Sequence, residues 1–369
     1  MAICLPSLYL FATQATDIIS RPLRLVPAEG NPRNSEGDFI QLKDGRLMFV
    51  YTHFLGGGSD HDRARLAARY SSDDGATWTA QDQVILENEG DWNVMSVSLL
   101  RLAGGEIAMF YLRKNSLSDC RPYLRISTDE AQTWSEPRLC ISDEVGYYVL
   151  NNDRAVQLQK GRLVLPVALH NRPGDPQPDW AGRIMCYLSD DLGRSWRRSQ
   201  TTMTASDAAG KRVTVQEPGV IELRGGRLMM YCRSNAGSQY VSFSSDGGDT
   251  WSPLGPSKII SPLSPASIKR IPQTGDLLLA WNNHENVDEL HRGKRTPLAV
   301  AISRDEGQTW ERAKTLEDDP DGWYCYTAIE FAGDHVLLGH CAGIRTKGMG
   351  LGVTQITRFD LQWLYDGAR

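Results

Sequence analysis

A small set of acidic, phenolic and guanidinium side chains stands at the ends of predicted strands in this sequence. Glu217 begins one predicted strand, and Arg233 ends the next strand 16 residues later. Tyr326 stands at the entry to a later strand, Asp60 lies in a glycine-rich turn, and Arg295 precedes another apolar run. A carboxylate can activate a phenol as a nucleophile, a second carboxyl group can move a proton, and planar guanidinium groups bind carboxylates. These residue types together indicate a site for a polar substrate.

The elements that must position these side chains are repeated along the chain. Five copies of a Ser-x-Asp-x-Gly-x-Thr-Trp pattern begin 56, 62, 55 and 59 residues apart. The copies span residues 71–78, 127–134, 189–196, 244–251 and 303–310. In this pattern Asp and Ser/Thr side chains can bind nearby backbone N–H groups, and Gly supplies a positive φ, so each copy predicts a turn. A fixed period of this length indicates a repeat architecture.

A second repeat precedes the first and extends it to six units. Each copy reads as an alternating segment, a tight Gly turn and a nearly continuous apolar run. The copies span residues 38–51, 97–111, 155–167, 219–231, 267–281 and 328–339. Two antiparallel strands joined by a tight turn fit this pattern, and the apolar second strand fits burial on both faces.

Each repeat unit therefore predicts four strands, the Ser-x-Asp pattern being the turn of the second hairpin. The prediction is an all-β, six-bladed β-propeller with four-stranded antiparallel blades, formed as a single domain over residues 1–369. The sixth unit lacks the Ser-x-Asp pattern. Its outer strands are expected from residues 352–365 and from N-terminal residues 3–25, because pairing the two chain ends closes the ring and hides its edges.

The repeated turn resembles the Asp-box, or BNR repeat, of the sialidase (neuraminidase) superfamily. This resemblance implies an exo-α-sialidase-like glycoside hydrolase that releases terminal sialic acid, or a related acidic sugar, with retention through a Tyr nucleophile and without a metal or organic cofactor. The Asp-boxes themselves are expected to be structural, and the catalytic groups to lie at the entries to the inner strands. Fold alone does not give function, so the site residues are matched one by one.

The catalytic roles follow from three segments that resemble the family's motifs. The segment Trp323-Tyr-Cys-Tyr326-Thr is similar to the one that carries the nucleophile, and Tyr326 fits its register better than Tyr324. Glu217 would take the proton of Tyr326, so the two side chains are expected within hydrogen-bond reach. The segment Gly58-Ser-Asp60-His61-Asp62 is similar to the family's loop that carries the acid, which protonates the leaving oxygen. Counted back from the first Asp-box, Asp60 fits the position of that acid better, and Asp62 is the alternative.

The substrate-binding arginines are the least regular part of the resemblance. Arg233 and Arg295 occupy places similar to those of two family arginines that bind the substrate carboxylate, with Arg292 as the alternative to Arg295. The first arginine of the expected triad is displaced: Arg33 lies two or three residues from its place, and Glu36 falls near it. Arg154 is a candidate to replace it.

Composition limits the other classes of function. The formal net charge is −5, with 41% hydrophobic and 23% charged residues, which gives no basic footprint for nucleic acid. No apolar run is long enough to span a membrane. Seven scattered cysteines without a Cys-x-x-Cys pair, and an N-terminus without a basic region before its apolar residues, favour the cytoplasm.

Two rival functions remain open at this point. One is an Asp-box glycosidase or lyase acting on a different sugar, which the Arg33 region motivates. The other is a non-catalytic carbohydrate-binding propeller. The expected partner in every case is a sialylated glycan or another carbohydrate.

Overall fold

The computed structural model describes residues 18–366, and the secondary structure of this part is almost entirely β. The predicted all-β class is confirmed. Strand β1 (Ile19–Leu25) comes first in the chain, and its sheet partners come from the C-terminal part. The next four strands form one antiparallel sheet in the order of the chain. They are β2 (Asn34–Gln41), β3 (Leu47–Phe54), β4 (Ala64–Ser71) and β5 (Gln83–Leu86).

The second and third repeat units form one nine-stranded sheet rather than two separate sheets. The strands of the second unit are β6 (Asn93–Arg101), β7 (Ile107–Ser116), β8 (Asp119–Ser127) and β9 (Arg138–Leu139). The third unit contributes β11 (Val156–Gln157), β12 (Leu163–Asn171), β13 (Arg183–Ser189) and β14 (Arg197–Arg198), preceded by the linking strand β10 (Tyr147–Val149). Strand β10 joins the two units because it pairs in parallel with β8 and antiparallel with β12.

The fourth and fifth units are again separate four-stranded antiparallel sheets. A small hairpin of β15 (Ala205–Ser206) and β16 (Arg212–Val213) precedes them. The fourth sheet comprises β17 (Val215–Glu222), β18 (Leu228–Ser234), β19 (Ser238–Ser244) and β20 (Gly255–Ile260), with a 3₁₀ turn at Arg224–Gly226. The fifth comprises β21 (Ser267–Arg270), β22 (Leu277–Asn282), β23 (Leu298–Ser303) and β24 (Glu311–Glu317).

The last sheet joins the two ends of the described chain, as expected for closure. It comprises β26 (Ala328–Ala332), β27 (His335–Cys341), β29 (Thr354–Asp360) and β1, while β25 (Gly322–Trp323) pairs with β28 (Gly343–Ile344) beside it. Strand β29 ends at Asp360, and the rest of the predicted strand is the helix α1 (Leu361–Tyr365). The predicted strand residues 3–17 lie outside the described part.

The sheets are arranged as a propeller, with their first strands around a common axis. Strand β2 lies beside β6 and β26, and β21 lies beside β17 and β26. The apolar second strands fill the space between neighbouring sheets: every residue of β3 and β12 is buried. Met48 and Val50 of β3 pack in one cluster with Val94 and Met109 of the second unit. Burying each such side chain stabilises the fold by about 1.5–3 kcal/mol.

The five Asp-boxes form the same hydrogen-bonded turn in every copy. In the third box, Ser189 Oγ donates to Asp191 Oδ1 at 2.8 Å, and the amide of Gly193 donates to Ser189 Oγ at 2.8 Å. The Ser195 amide and hydroxyl both donate to the Asp191 carboxylate, at 2.9 and 2.6 Å. These bonds reach at most four residues along the chain, which is why the motif predicts its own turn. Among residues 18–366 no helix is long and apolar enough to cross a membrane.

Candidate active site

Four side chains reach the central cavity from backbone positions that L-amino acids rarely adopt. Glu36, Ser96, Glu217 and Tyr326 have positive φ angles of 54°, 57°, 51° and 56°. The first three lie in β-bulges at the start of β2, β6 and β17, where the pairing register shifts. A bulge redirects a side chain, and backbone strain of this kind concentrates at functional sites. All four residues line one cavity at the propeller axis.

Tyr326 and Glu217 form a hydrogen-bonded pair within this cavity. The Tyr326 hydroxyl donates to Glu217 Oε1 at 3.2 Å, as the sequence predicted. The other carboxylate oxygen, Oε2, is 2.8 Å from Arg233 Nη1 in an ion pair. Burial raises the pKa of Tyr326, and the negative charge of Glu217 raises it further, although Arg295 and Arg233 oppose this. The resting phenol is therefore neutral, and Glu217 is the carboxylate to which it donates.

Arg33 reaches the site, but its guanidinium group is occupied by protein acceptors. Its Nε donates to Ser35 Oγ at 3.0 Å, and Nη2 donates to Glu36 Oε1 at 3.0 Å. Nη1 donates to the carbonyl of Gly58 at 3.2 Å and to Asp60 Oδ1 at 2.5 Å. Arg33 is only 3% exposed and also lies over the ring of Phe54. It thus connects the bulge of β2 to the loop that carries the candidate acid.

The Asp60 loop is held over the cavity by contacts to its backbone. The Asp60 carbonyl accepts hydrogen bonds from Lys114 Nζ at 2.8 Å and Asn93 Nδ2 at 3.0 Å. The Asp60 side chain is 55% exposed and lines the cavity. Burial would raise its pKa, but the positive charges of Arg33 and Lys114 outweigh that effect and lower the pKa. Asp62 instead shapes the loop, because its Oδ2 accepts from the Ser59 amide at 2.7 Å.

Glu36 is a buried carboxylate inside the cavity. One oxygen accepts from Arg33, and the other accepts a short hydrogen bond from Ser96 Oγ. Burial raises the pKa of Glu36, and the opposing effects of Arg33 and Ser96 do not cancel that rise. The place where the family resemblance expects an arginine therefore holds an acidic side chain paired with the displaced Arg33.

Arg233 and Arg295 flank the tyrosine from two sides. Arg233 is held by Gln216, whose Oε1 accepts from Nε at 2.9 Å and from Nη2 at 2.6 Å. Arg295 lies over the ring of Tyr326, with 5.4 Å between its guanidinium carbon and the ring centroid, and donates to Cys325 Sγ at 3.2 Å. The alternative, Arg292, is exposed and paired with Glu289 at 2.8 Å. The alternative tyrosine, Tyr324, is buried in a separate apolar cluster.

Arg154 does not join the site, contrary to the sequence-based expectation. It is 2% exposed and its Nη2 donates to the Ala266 carbonyl at 2.7 Å. Its Nη1 lies 3.3 Å from Ser267 Oγ and 3.4 Å from the Tyr231 hydroxyl, so it joins the third unit to the fourth and fifth. Its neighbour Asn152 matters more for the site, because Asn152 Nδ2 donates to the Tyr326 carbonyl at 3.0 Å and to the Gly37 carbonyl at 2.8 Å.

An aromatic and basic wall of the cavity was missed by sequence reasoning. Trp180 is 48% exposed, and its ring centroid lies 5.3 Å from that of His170 and 5.9 Å from that of Tyr147. Lys114 lies over the Tyr147 ring at 5.3 Å. Lys114 lies in the second strand of its repeat unit, as Arg233 does, which was a usable signal. No pattern in the sequence distinguished Tyr147, His170 or Trp180.

The antiparallel sheets around an axial cavity that contains a Tyr–Glu pair define a β-propeller of the sialidase and BNR-repeat class. The chain belongs to the BNR repeat-like domain family, whose pattern its sequence matches over residues 81–338. A sialidase from Bacteroides fragilis (strain YCH46) is 30% identical over 210 residues, which are 53% of this chain and 35% of that protein. The chain thus spans about a third of the length of this curated relative.

Solved structures share the fold at low sequence identity. A protein of unknown function from Dyadobacter fermentans has a TM-score of 0.71 at 18% identity, covering 94% of this chain and 100% of that one. The Hadza microbial sialidase Hz136 also has a TM-score of 0.71, at 16% identity, covering 91% of this chain and 67% of that one. At these identities the likeness establishes the fold, and activity has to be argued from the site.

Proposed function

We propose that this protein is a glycoside hydrolase that retains the anomeric configuration and works through a glycosyl–Tyr326 intermediate. The observation that carries the proposal is the 3.2 Å hydrogen bond from the Tyr326 hydroxyl to Glu217 in the axial cavity. A nucleophile in contact with its base, with a second carboxyl group nearby to move a proton, is the arrangement that this two-step glycoside hydrolysis requires. Two of the similar proteins are named as sialidases, which supports the same reaction class.

In the first step the Tyr326 oxygen attacks the anomeric carbon while Glu217 takes the phenolic proton. The bond from that carbon to the leaving oxygen breaks, and Asp60 gives its proton to the leaving oxygen. Because the pKa of Asp60 is lowered in the resting site, Asp60 has to acquire this proton before or during substrate binding.

In the second step a water molecule attacks the anomeric carbon from the side that the leaving group vacated. Asp60 takes a proton from this water, the carbon–oxygen bond to Tyr326 breaks, and Glu217 returns its proton to the phenolate. The sum is hydrolysis with two inversions, so the configuration is retained. Arg233 and Arg295 stabilise the negative charge that develops on Tyr326, since both guanidinium groups lie close to it.

We also propose that the propeller has six blades in one domain. Four separate four-stranded sheets account for four repeat units, and the nine-stranded sheet contains the other two units joined by β10. In this interpretation the axial cavity lies at one end of a ring closed by the pairing of β1 with β29.

Two candidates for the released sugar follow from different observations. The name of the similar proteins, together with Arg233 and Arg295 beside Tyr326, supports a terminal sialic acid. Glu36 supports a different sugar, because a carboxylate already occupies the cavity wall beside Arg33. A non-catalytic carbohydrate-binding role is the weaker alternative, since binding a sugar does not call for a tyrosine paired with a base.

The proposal is tested with a panel of 4-methylumbelliferyl glycosides that includes neutral sugars, uronic acids and sialic acid. The fluorescence of the released 4-methylumbelliferone measures turnover, and ¹H NMR of the first-formed free sugar identifies its anomer. A free sugar with the same anomeric configuration as the substrate supports the proposal. Inversion, or an unsaturated sugar product, would contradict it, and binding of a sugar without any turnover would favour the carbohydrate-binding alternative.

A further inference from the structure

Glu36 enters the cavity by the same backbone device as the base Glu217. Both are left-handed residues in a bulge, and each lies nine residues before the positive-φ glycine of its hairpin turn, Gly45 and Gly226 respectively. The two carboxylates thus occupy equivalent strained backbone positions and line the same cavity. A residue held in this way is expected to contact the substrate rather than only to support the fold.

The two arginines nearest these carboxylates have few donors left for a substrate carboxylate. Arg33 uses Nε, Nη1 and Nη2 on Ser35, Gly58, Asp60 and Glu36. Arg233 uses Nε and Nη2 on Gln216, and its Nη1 lies 2.8 Å from Glu217 and 3.5 Å from the Tyr326 hydroxyl. Bidentate binding needs two free parallel N–H groups. Forming it with Arg33 would require the substrate to displace Glu36 or Asp60.

The acceptors of the cavity, by contrast, have capacity to spare. Each ionised carboxylate offers about four acceptor positions, and Glu36 uses one on Arg33 and one on Ser96. Asp60 and Glu217 line the same cavity. A sugar carboxylate beside Glu36 would meet like charge, whereas sugar hydroxyl groups would supply the donors that these oxygens can accept. The exposed ring of Trp180 lies in the same wall and suits an uncharged sugar face.

We propose that Glu36 is a specificity residue that accepts hydrogen bonds from sugar hydroxyl groups, and that the site hydrolyses glycosides of uncharged sugars in preference to sialosides. This inference rests on the proposed function and names its substrate class. It assigns the unusual Glu36–Arg33 pair a role: Arg33 orients the Glu36 carboxylate and is not itself the substrate's carboxylate ligand.

The test compares kcat/KM of the wild-type protein on 4-methylumbelliferyl glycosides of neutral hexoses, 6-deoxyhexoses and sialic acid, and then repeats it with Glu36→Gln. We expect the best neutral glycoside to exceed the sialoside by about 100-fold or more, because a site built for hydrogen bonds can reject a mismatched substrate by up to about 10⁴–10⁵-fold. Glu36→Gln should lower the neutral value at least tenfold and raise the sialoside value. Glu87→Gln, at an exposed site, is the matched control and should change neither.

The outcomes separate this inference from the proposed function. A wild-type preference for the sialoside, or a neutral preference that Glu36→Gln leaves unchanged, overturns the inference while leaving the hydrolase proposal intact. The wild-type comparison stands even if the variant does not fold. If no glycoside is cleaved, the hydrolase proposal fails, and isothermal titration with the free sugars decides the binding role assigned to Glu36. Tighter binding of a neutral sugar than of sialic acid, weakened by Glu36→Gln, supports that role, and the reverse order overturns it.

Discussion

The hydroxyl of Tyr326 and the carboxylate of Glu217 meet at 3.2 Å across the axial cavity, although 109 residues separate them in the chain. Each stands at the start of an inner strand in a left-handed backbone conformation. Two further contacts hold this pair in place. The Asn152 amide donates to the Tyr326 carbonyl, and the Arg233 guanidinium group forms an ion pair with Glu217. The proposed hydrolysis depends on the contact between Tyr326 and Glu217 more than on any other.

Replacing Tyr326 with Phe should remove turnover while leaving the fold intact. The change deletes only the hydroxyl, so the expected loss in kcat is roughly 10³-fold or more if that oxygen is the nucleophile. Tyr324→Phe is the matched control, because Tyr324 lies two residues earlier in a separate apolar cluster and should retain near-normal kcat. Steady-state kinetics and circular dichroism measure both effects. Near-normal activity of Tyr326→Phe would exclude it as the nucleophile.

Loss of Asp60 should depend on the leaving group of the substrate. A poor leaving group needs the proton of Asp60, so Asp60→Ala should lower its cleavage by about 10²–10⁴-fold, whereas a nitrophenyl leaving group should be affected far less in kcat/KM. Added azide should restore breakdown of the intermediate, since it needs no general base. Asp62→Asn, which keeps an acceptor for the Ser59 amide, should behave like the wild type on both substrates. Equal losses on both substrates would argue against an acid role.

The raised pKa of Glu36 predicts an early loss of activity on the acidic side. Since its folded-state pKa lies above the ordinary value, Glu36 gains its proton at a higher pH than a free Glu, and its carboxylate acceptor is lost as the pH falls. The charged groups that bear on it are Arg33, Asp60 and Glu217. In kcat/KM measured from pH 4 to 8 on a nitrophenyl glycoside, the acidic decline should move to lower pH in Glu36→Gln. If Glu36→Gln leaves the pH profile of kcat/KM unchanged, protonation of Glu36 is not the cause of the acidic decline.

The Asp-boxes should contribute pH-dependent stability without affecting catalysis. Hydrogen bonds led by the Ser195 hydroxyl lower the pKa of Asp191 to about 2. Because this folded-state pKa is depressed, its stabilisation is fully present above the unfolded value of about 3.9 and is lost as the pH falls through about 2. Asp191→Asn should therefore reduce the free energy of unfolding at pH 7 and flatten its decline between pH 4 and 2.

Urea titrations at a series of pH values measure this effect. Asp74→Asn is the control. In the first box Asp73 is the equivalent of Asp191 and makes the hydrogen bonds of the turn, whereas Asp74 is the residue that follows it. The kcat of both variants should equal that of the wild type. A stability curve of Asp191→Asn that is parallel to the wild-type curve would contradict the role assigned to the carboxylate.

The repeat units could be predicted from the sequence because the interactions that define them are local. Each Asp-box closes through bonds between residues at most four apart, as between Asp129 and Thr133. The apolar second strands follow from burial on both faces, which β3 and β12 confirm. Counting from these units also placed Glu217 and Tyr326 at the entries to inner strands, and the resemblance to sialidases predicted that the two side chains meet.

The remaining features depend on long-range geometry that no local pattern encodes. Arg33 reaches Asp60 because the β2 bulge and the Asp60 loop converge, and Arg154 turns into the interior because the Ala266 carbonyl lies within reach. Strand β10 is only three residues long, so its pairing with both β8 and β12 left no periodic signal.

The central claim, a covalent bond between sugar and Tyr326, is tested most directly by trapping that intermediate. The protein is incubated with 2-deoxy-2-fluoro glycosyl fluorides of neutral sugars and with 2,3-difluorosialic acid, digested, and sequenced by mass spectrometry. The account predicts one glycosyl adduct on Tyr326, absent from Tyr326→Phe and present in Tyr324→Phe. An adduct on Glu36, Asp60 or Glu217 instead would contradict it, as would turnover of a glycoside with inversion of the anomeric carbon.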